Sequence, residues 1–196
     1  MDKDNCFEIF SSNLRNFRES RKISRRELEK KSLVSERIII NLEKGKNWTQ
    51  PETIEKICRE LKITYDMLFM KNPDFSCPET VNQSSLRRVF GNNLIRFMYF
   101  RGQTQKDIAK ATGIPLKSIS DFATGASWTN LKRIAEIAEK LKAPVFTLFR
   151  EFRISLPLEY EKLIYLKHTF EEKLLLSQEL IECDDDGVFS DFQKSN

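Results

Sequence analysis

Phe10, Leu14 and Phe17 recur at steps of four and three residues, the spacing that lines one face of a helix, and predict a first helix from about Glu8 to Ser20. Ser24-Arg-Arg-Glu27 has the form of a capping box, in which a hydroxyl and a carboxylate each satisfy a free backbone amide, and it opens a second helix. Leu33-Val34 makes the turn, and Ser35 is placed to cap a third helix that carries Arg37, Ile39 and Leu42 and ends near Gly45. Thr49-Gln-Pro-Glu52 reads as another capping box, ahead of a fourth helix with Ile54, Ile57, Cys58 and Leu61 inward. A short fifth helix from Thr64 to Phe69 closes the set.

The same pattern returns 80 residues later without a gap. Phe10 meets Phe90, Leu14 meets Leu94, Phe17 meets Phe97, Ile39 meets Ile119 and Gly45 meets Gly125. Trp48-Thr49 meets Trp128-Thr129, and Leu68-Phe69 meets Leu148-Phe149. Sixteen of the sixty positions from 10 to 69 are identical in this register, against about four expected by chance, so an internal repeat is expected. Its first helix starts near Ser85, and Thr104 with Asp107 caps the next, in which Ile108 and Ala111 face inward. Gly113 sits where that helix must stop in a left-handed conformation, and Pro115 leads into another helix. There Ile119 and Phe122 face the core, while Leu116, Lys117, Ser118 and Asp121 face out. A fourth helix carries Ile134, Ile137, Ala138 and Leu141, and Pro144 starts a fifth. Trp48 and Trp128 each precede a fourth helix and read as core or cap-packing residues.

The pattern divides the chain into a first unit at 1–70, a linker at 71–83, a second unit at 84–150, a C-terminal helix within 151–183 and an acidic tail at 184–196. The linker is polar and broken by Pro73 and Pro78. Treated as flexible, it reaches about 20 Å typically and about 45 Å at full stretch. The C-terminal helix, about Leu158 to Glu182, has a broad apolar side marked by Tyr160, Leu163, Leu166, Phe170 and Leu174. Such a stripe needs cover from the rest of the chain, from a second copy or from a protein partner.

Charge sharpens the division. Residues 10–69 carry 14 basic and 9 acidic groups, residues 84–149 carry 11 and 4, and residues 150–196 carry 6 and 11. Two basic units followed by an acidic segment suggest two polyanion-binding surfaces and a third region with other work. The cysteines Cys6, Cys58, Cys77 and Cys183 form no close pair, and His168 is the only histidine. No metal site, cofactor or disulfide framework is therefore expected, and no catalytic set supports an enzyme. The chain has no apolar run of membrane-spanning length, and its start lacks a basic-then-apolar leader pattern, so a cytoplasmic, nucleoid-associated location is expected and no membrane partner.

The stretch Thr104 to Gly125, with Thr-Gln at the first helix start, Ile-Ala, Gly-Ile-Pro at the turn, Ile-Ser and a closing glycine, resembles the helix-turn-helix of the lambda-repressor-like (Xre/Cro) family. The resemblance implies an all-α chain of two tandem five-helix lambda-repressor-like helix-turn-helix domains plus a C-terminal helix. It also implies which residues meet DNA. In the second copy Thr104, Gln105 and Lys106 meet DNA at the first helix start, Gln105 as a phosphate or base contact, while Leu116, Lys117, Ser118 and Asp121 face the major groove. Lys117 suits guanine, Asp121 the cytosine amine and Leu116 a thymine methyl. In the first copy Arg25 takes the place of Gln105 beside Arg26. Glu36, Arg37, Ile38 and Asn41 take the groove positions, and Lys44 and Lys46 meet phosphate. The first copy departs from the pattern at Leu33, in place of the turn glycine, and at Ile40, in place of the small Ser120; the second has Ala123 where the first has Glu43.

The expected function is a sequence-specific regulator of transcription that binds double-stranded DNA, a repressor acting by promoter occlusion, with two unlike half-sites. Ile38 and Leu116 also fit a protein contact. The alternative is accordingly a protein-binding antitoxin or phage-type inhibitor that uses the C-terminal helix and acidic tail.

Overall fold

A computed structural model describes residues 3–76 and 83–152. They form eight α-helices and two short 3-10 helices, with no strand among the described residues. In chain order these are α1 (Lys3–Ser20), α2 (Arg25–Ser32), α3 (Glu36–Glu43), α4 (Pro51–Leu61) and the 3-10 helix η1 (Asp66–Phe69). After them come α5 (Leu86–Phe100), α6 (Gln105–Thr112), α7 (Leu116–Ala123), α8 (Leu131–Lys140) and the 3-10 helix η2 (Val145–Phe149). The expected C-terminal helix, with Tyr160, Leu163, Leu166, Phe170 and Leu174, and the acidic tail lie outside the described residues.

The apolar stripes converge as their spacing requires. Phe10, Leu14, Phe17, Leu28, Ile39, Leu42, Ile54, Ile57 and Leu61 are fully or almost fully buried in the first half, and Phe90, Leu94, Ile108, Ile119, Ile134, Ile137 and Leu141 are in the second. Burial pushes the Cys58 thiol well above its usual range, so this cysteine behaves as a small apolar core residue. The 80-residue register also holds for polar contacts. The Asn13 side-chain amide donates to the Met67, Leu68 and Met70 carbonyls at 3.2, 3.2 and 2.8 Å, and Asn93 donates to Thr147, Leu148 and Arg150 at 3.2, 3.1 and 2.7 Å. Arg21 Nε reaches the Leu61 carbonyl at 3.1 Å, and Arg101 Nε reaches Leu141 at 3.0 Å. Each pair fastens the first helix of its half to carbonyls that the fourth helix and the 3-10 helix leave without partners.

Four local expectations are corrected. α1 begins at Lys3, ahead of Glu8. Ser35 stands at the N-cap of α3 but makes no side-chain cap bond. The Thr49–Glu52 capping box does not form, because Pro51 occupies the first turn of α4, Gln50 becomes the N-cap, and the Glu52 carboxylate is drawn instead to Arg87 at 3.0 Å. Ala111 is exposed; the α6 stripe that packs inward runs through Ile108 and Ala109.

The two halves sit directly on one another, with α1 against α8, α4 against α5 and η1 against η2. Trp48 and Trp128 stack at 6.2 Å between ring centroids, and Phe69 and Phe149 stack at 4.4 Å. Each indole N–H donates across the interface, Trp48 to the Thr129 carbonyl at 3.0 Å and Trp128 to the Thr49 carbonyl at 3.3 Å. Arg150 pairs with Asp66, and the Leu86 amide donates to Glu55. The halves are thus joined by direct packing as well as by the linker. Its described ends are also fastened to the first half: Phe75 packs on Phe17 at 4.7 Å, and the Gln83 side chain bonds the Tyr65 amide and the Ile63 carbonyl, each at 3.0 Å.

Leu33 ends α2 at φ 58°, in the left-handed region, and the residue is 81% exposed. Gly113 does the same for α6 at φ 69° without a side chain to strain. Leu33→Gly is therefore expected to stabilise the chain by about 1 kcal/mol, since it removes the Cβ clash and sacrifices little packing. A higher midpoint in chemical denaturation is the expected result, and an unchanged or lower one contradicts the strain.

Candidate nucleic-acid interface

Each half presents a short helix whose buried side is fixed and whose other side faces solvent. In α3 the buried residues are Ile39, Leu42 and Glu43, leaving Arg37 and Ile38 exposed and Glu36, Ile40 and Asn41 half-buried. In α7 the buried residues are Ile119, Phe122 and Ala123, leaving Leu116 and Lys117 exposed and Ser118 and Asp121 half-buried. The outward sets coincide in the 80-residue register: Glu36 with Leu116, Arg37 with Lys117, Ile38 with Ser118, and Asn41 with Asp121. Only Arg37 and Lys117 are chemically alike. The exposed apolar residue falls at a different step on each face, Ile38 (39% exposed) against Leu116 (42% exposed).

The helices ahead of them, α2 and α6, are held at their amino ends. The Ser24 hydroxyl accepts from the Glu27 amide at 3.1 Å, while the Glu27 carboxylate pairs with Lys31 at 2.9 Å. At α6 the capping box is complete: the Asp107 amide donates to the Thr104 hydroxyl oxygen at 3.2 Å, and the Thr104 amide donates to the Asp107 carboxylate at 2.8 Å. The Thr104 backbone bond, seconded by its hydroxyl, holds the Asp107 carboxyl below its ordinary range, so this cap favours the fold above the carboxyl's unfolded pKa and fades as pH falls through the depressed value. Thr104 thus serves as the cap. Gln105 is half-buried beside it and Lys106 projects into solvent.

The charges on the two faces are arranged differently. Lys117 Nζ lies 2.7 Å from Asp121 one turn on, which answers the negative charge that Asp121 brings to a phosphate-facing surface. On the first face Arg26 lies 3.6 Å from Glu36. Both cations are exposed beside half-buried carboxylates, and pairs at a surface contribute about 0.2–1 kcal/mol, so either cation can leave its partner for a base or a phosphate at small cost. Lys44 and Lys46 are exposed beyond the end of α3, either side of Gly45 at φ 64°.

Arg25 is the residue whose surroundings differ most from the expectation. Its Nε and Nη2 both lie 2.8 Å from Oε2 of Glu43, whose side chain is fully buried. The other Glu43 oxygen accepts from Arg18 Nε at 2.5 Å, and Arg18 also donates to the Ile23 carbonyl at 3.0 Å. The Glu43 hydrogen bond holds the Arg18 guanidinium above its ordinary value in spite of burial. This cluster joins α1, α2 and α3. Sequence reasoning missed it, although a signal exists: in the 80-residue register Arg18 falls on Met98 and Glu43 on Ala123, so the charged pair becomes an apolar pair in one step.

Among the described residues no helix is long and apolar enough to cross a membrane, and no group of His, Cys, Asp and Glu is placed to hold a metal ion. Comparison with protein families matches residues 14–68 to the helix-turn-helix model, a span that takes in α2 and α3, so the first half carries a helix-turn-helix domain. Neither the curated proteins nor the solved structures return a match.

Proposed function

We propose that this chain regulates transcription as a sequence-specific double-stranded-DNA-binding protein, a repressor that occludes promoters, with α3 and α7 in major grooves. The observation that carries the reading is the shared outward set of α3 and α7, each with one basic side chain, Arg37 or Lys117, at the same step of a helix that follows a capped partner helix. The helix-turn-helix match supports it for the first half. For the second half support comes from the 80-residue register, which pairs Asn13 with Asn93, Arg21 with Arg101 and the two tryptophans in equivalent roles. Residues 10–69 and 84–149 act as two helix-turn-helix domains, each with an excess of basic groups for phosphate. No catalytic role is assigned. The C-terminal segment from residue 151 serves dimerisation or a protein partner.

Selection from random duplexes at fixed, near-physiological salt tests the reading, because affinity for DNA depends steeply on salt. Arg37→Ala and Lys117→Ala are each expected to lose about 1–3 kcal/mol on the selected duplex and to relax one position of the site, whereas Lys46→Ala weakens all sequences alike. Uniform weakening by all three removes Arg37 and Lys117 from base reading. Failure to enrich any sequence favours the protein-binding alternative, to which exposed Ile38 and Leu116 are suited.

A further inference from the structure

The order of two units along a chain does not determine how they face one another. Units in tandem on a free tether can take up half-sites that repeat in the same direction. Units that pack through the same patch on both sides are related by a two-fold axis, and such an interface has a signature: residue i of one touches j of the other, and j touches i in return. The contacts between the halves have that signature under the 80-residue shift. The Trp48 indole donates to the Thr129 carbonyl, and the Trp128 indole donates to the Thr49 carbonyl. Two further contacts join a residue to its own equivalent, Trp48 to Trp128 and Phe69 to Phe149. A residue that meets its own equivalent lies on the axis, so the two stacks give the axis its position and direction. At the level of helices α1 lies against α8 and α5 against α4, again one contact and its reciprocal, with η1 on η2 at the centre.

We infer that the chain is an internal two-fold pair, so that its two DNA half-sites lie inverted with respect to each other at one spacing, although the repeats run head to tail in the sequence. The inference rests on the proposed DNA-binding function and adds to it the arrangement of the site. A DNA duplex carries two-fold axes perpendicular to its length, and a protein with two-fold symmetry meets half-sites of opposite direction. A direct repeat relates its half-sites by translation and rotation along the duplex, which a reciprocal interface does not supply. The half-sites are inverted in direction but unlike in sequence, because the outward sets of α3 and α7 share no residue type and match only in the basic charge of Arg37 and Lys117. Two ion pairs break the symmetry. Arg87–Glu52 and Arg150–Asp66 fall, under the shift, on Phe7 with Lys132 and on Met70 with Phe146, and neither of these combinations is an ion pair. They distinguish the two places in the pair, while the aromatic stacks set the spacing.

The full chain decides the matter through the duplexes it selects. The expected result is a pair of unlike motifs in inverted orientation with one spacer length. Synthetic duplexes with one motif reversed, or with the spacer lengthened by about half a helical turn, about 5 base pairs, are then expected to bind at least ten-fold more weakly. Trp48→Ala combined with Trp128→Ala is expected to retain both motifs and to lose the preference for orientation and spacing; circular dichroism verifies that it is folded, and the wild-type duplex series stands without it. Motifs recovered as a direct repeat, a single motif, or equal affinity for both orientations overturns the internal two-fold arrangement alone. Absence of any enriched sequence overturns the DNA-binding reading and the arrangement with it.

Discussion

Glu43→Ala is expected to lower the stability of the first half by about 3–5 kcal/mol, the loss that follows when one member of a buried ion pair is removed and its buried partner loses its main counter-charge. The Glu43 side chain is fully buried and serves both Arg18, itself only 8% exposed, and Arg25. Without the carboxylate, the Arg18 guanidinium keeps the Ile23 carbonyl and the more exposed Glu19 as partners. The second half indicates the remedy, because it places Met98 and Ala123 in this register and both are buried. Arg18→Met combined with Glu43→Ala is therefore expected to recover most of the loss, since it removes both charges together and fills the space with an apolar chain. Urea denaturation of the four forms measures the coupling. Losses that simply add, with the double variant worse than either single one, contradict an energetic role for the buried pair. Release of Arg25 in Glu43→Ala also frees a cation at the amino end of α2, so non-specific DNA affinity is expected to rise in the folded fraction.

Gly91→Ala is expected to cost about 2–3 kcal/mol, even though alanine is the better helix former by about 1 kcal/mol. A methyl at this position would stand 2.6 Å from the Ala123 carbonyl oxygen and 2.8 Å from that of Phe122. Both are backbone atoms at the end of α7 and cannot swing aside as a side chain could, so α5 and α7 must separate. The same displacement moves the α7 face, and weaker binding to the second half-site is expected along with the lost stability. Gly113→Ala is the control: nothing lies within 4 Å of its added methyl, so only the left-handed backbone is penalised, by about 1 kcal/mol. Thermal unfolding followed by circular dichroism separates the two, and equal midpoints contradict the close approach of α5 to α7.

The elements legible in the sequence were those written in local spacing. Phe10, Leu14 and Phe17, or Ile134, Ile137 and Leu141, declare their helix within one or two turns, and the turn before Pro115 is marked by a glycine that takes the left-handed conformation expected of it. The outward set on α7 follows directly, because fixing Ile119 and Phe122 inward leaves Leu116 and Lys117 outside. Capping was less legible. Thr49-Gln-Pro-Glu52 matches the pattern, yet Pro51 and the pull of Arg87, 35 residues away, redirect Glu52. The interface between the halves was hidden for a related reason: the sequence marks Trp48 and Trp128 as packing residues but not that each packs on the other. The Arg18–Glu43 pair lay between, since only the exchange with Met98 and Ala123 in the repeat register gives it away.

Amide chemical-shift mapping of the full chain, titrated with the duplex recovered by selection, tests most directly the claim that both outward helices read DNA. The expected result is perturbation at Arg37, Ile38 and Asn41 on α3 together with Leu116, Lys117, Ser118 and Asp121 on α7, saturating at one duplex per chain. Perturbation confined to one half, or to surfaces away from α3 and α7, contradicts it.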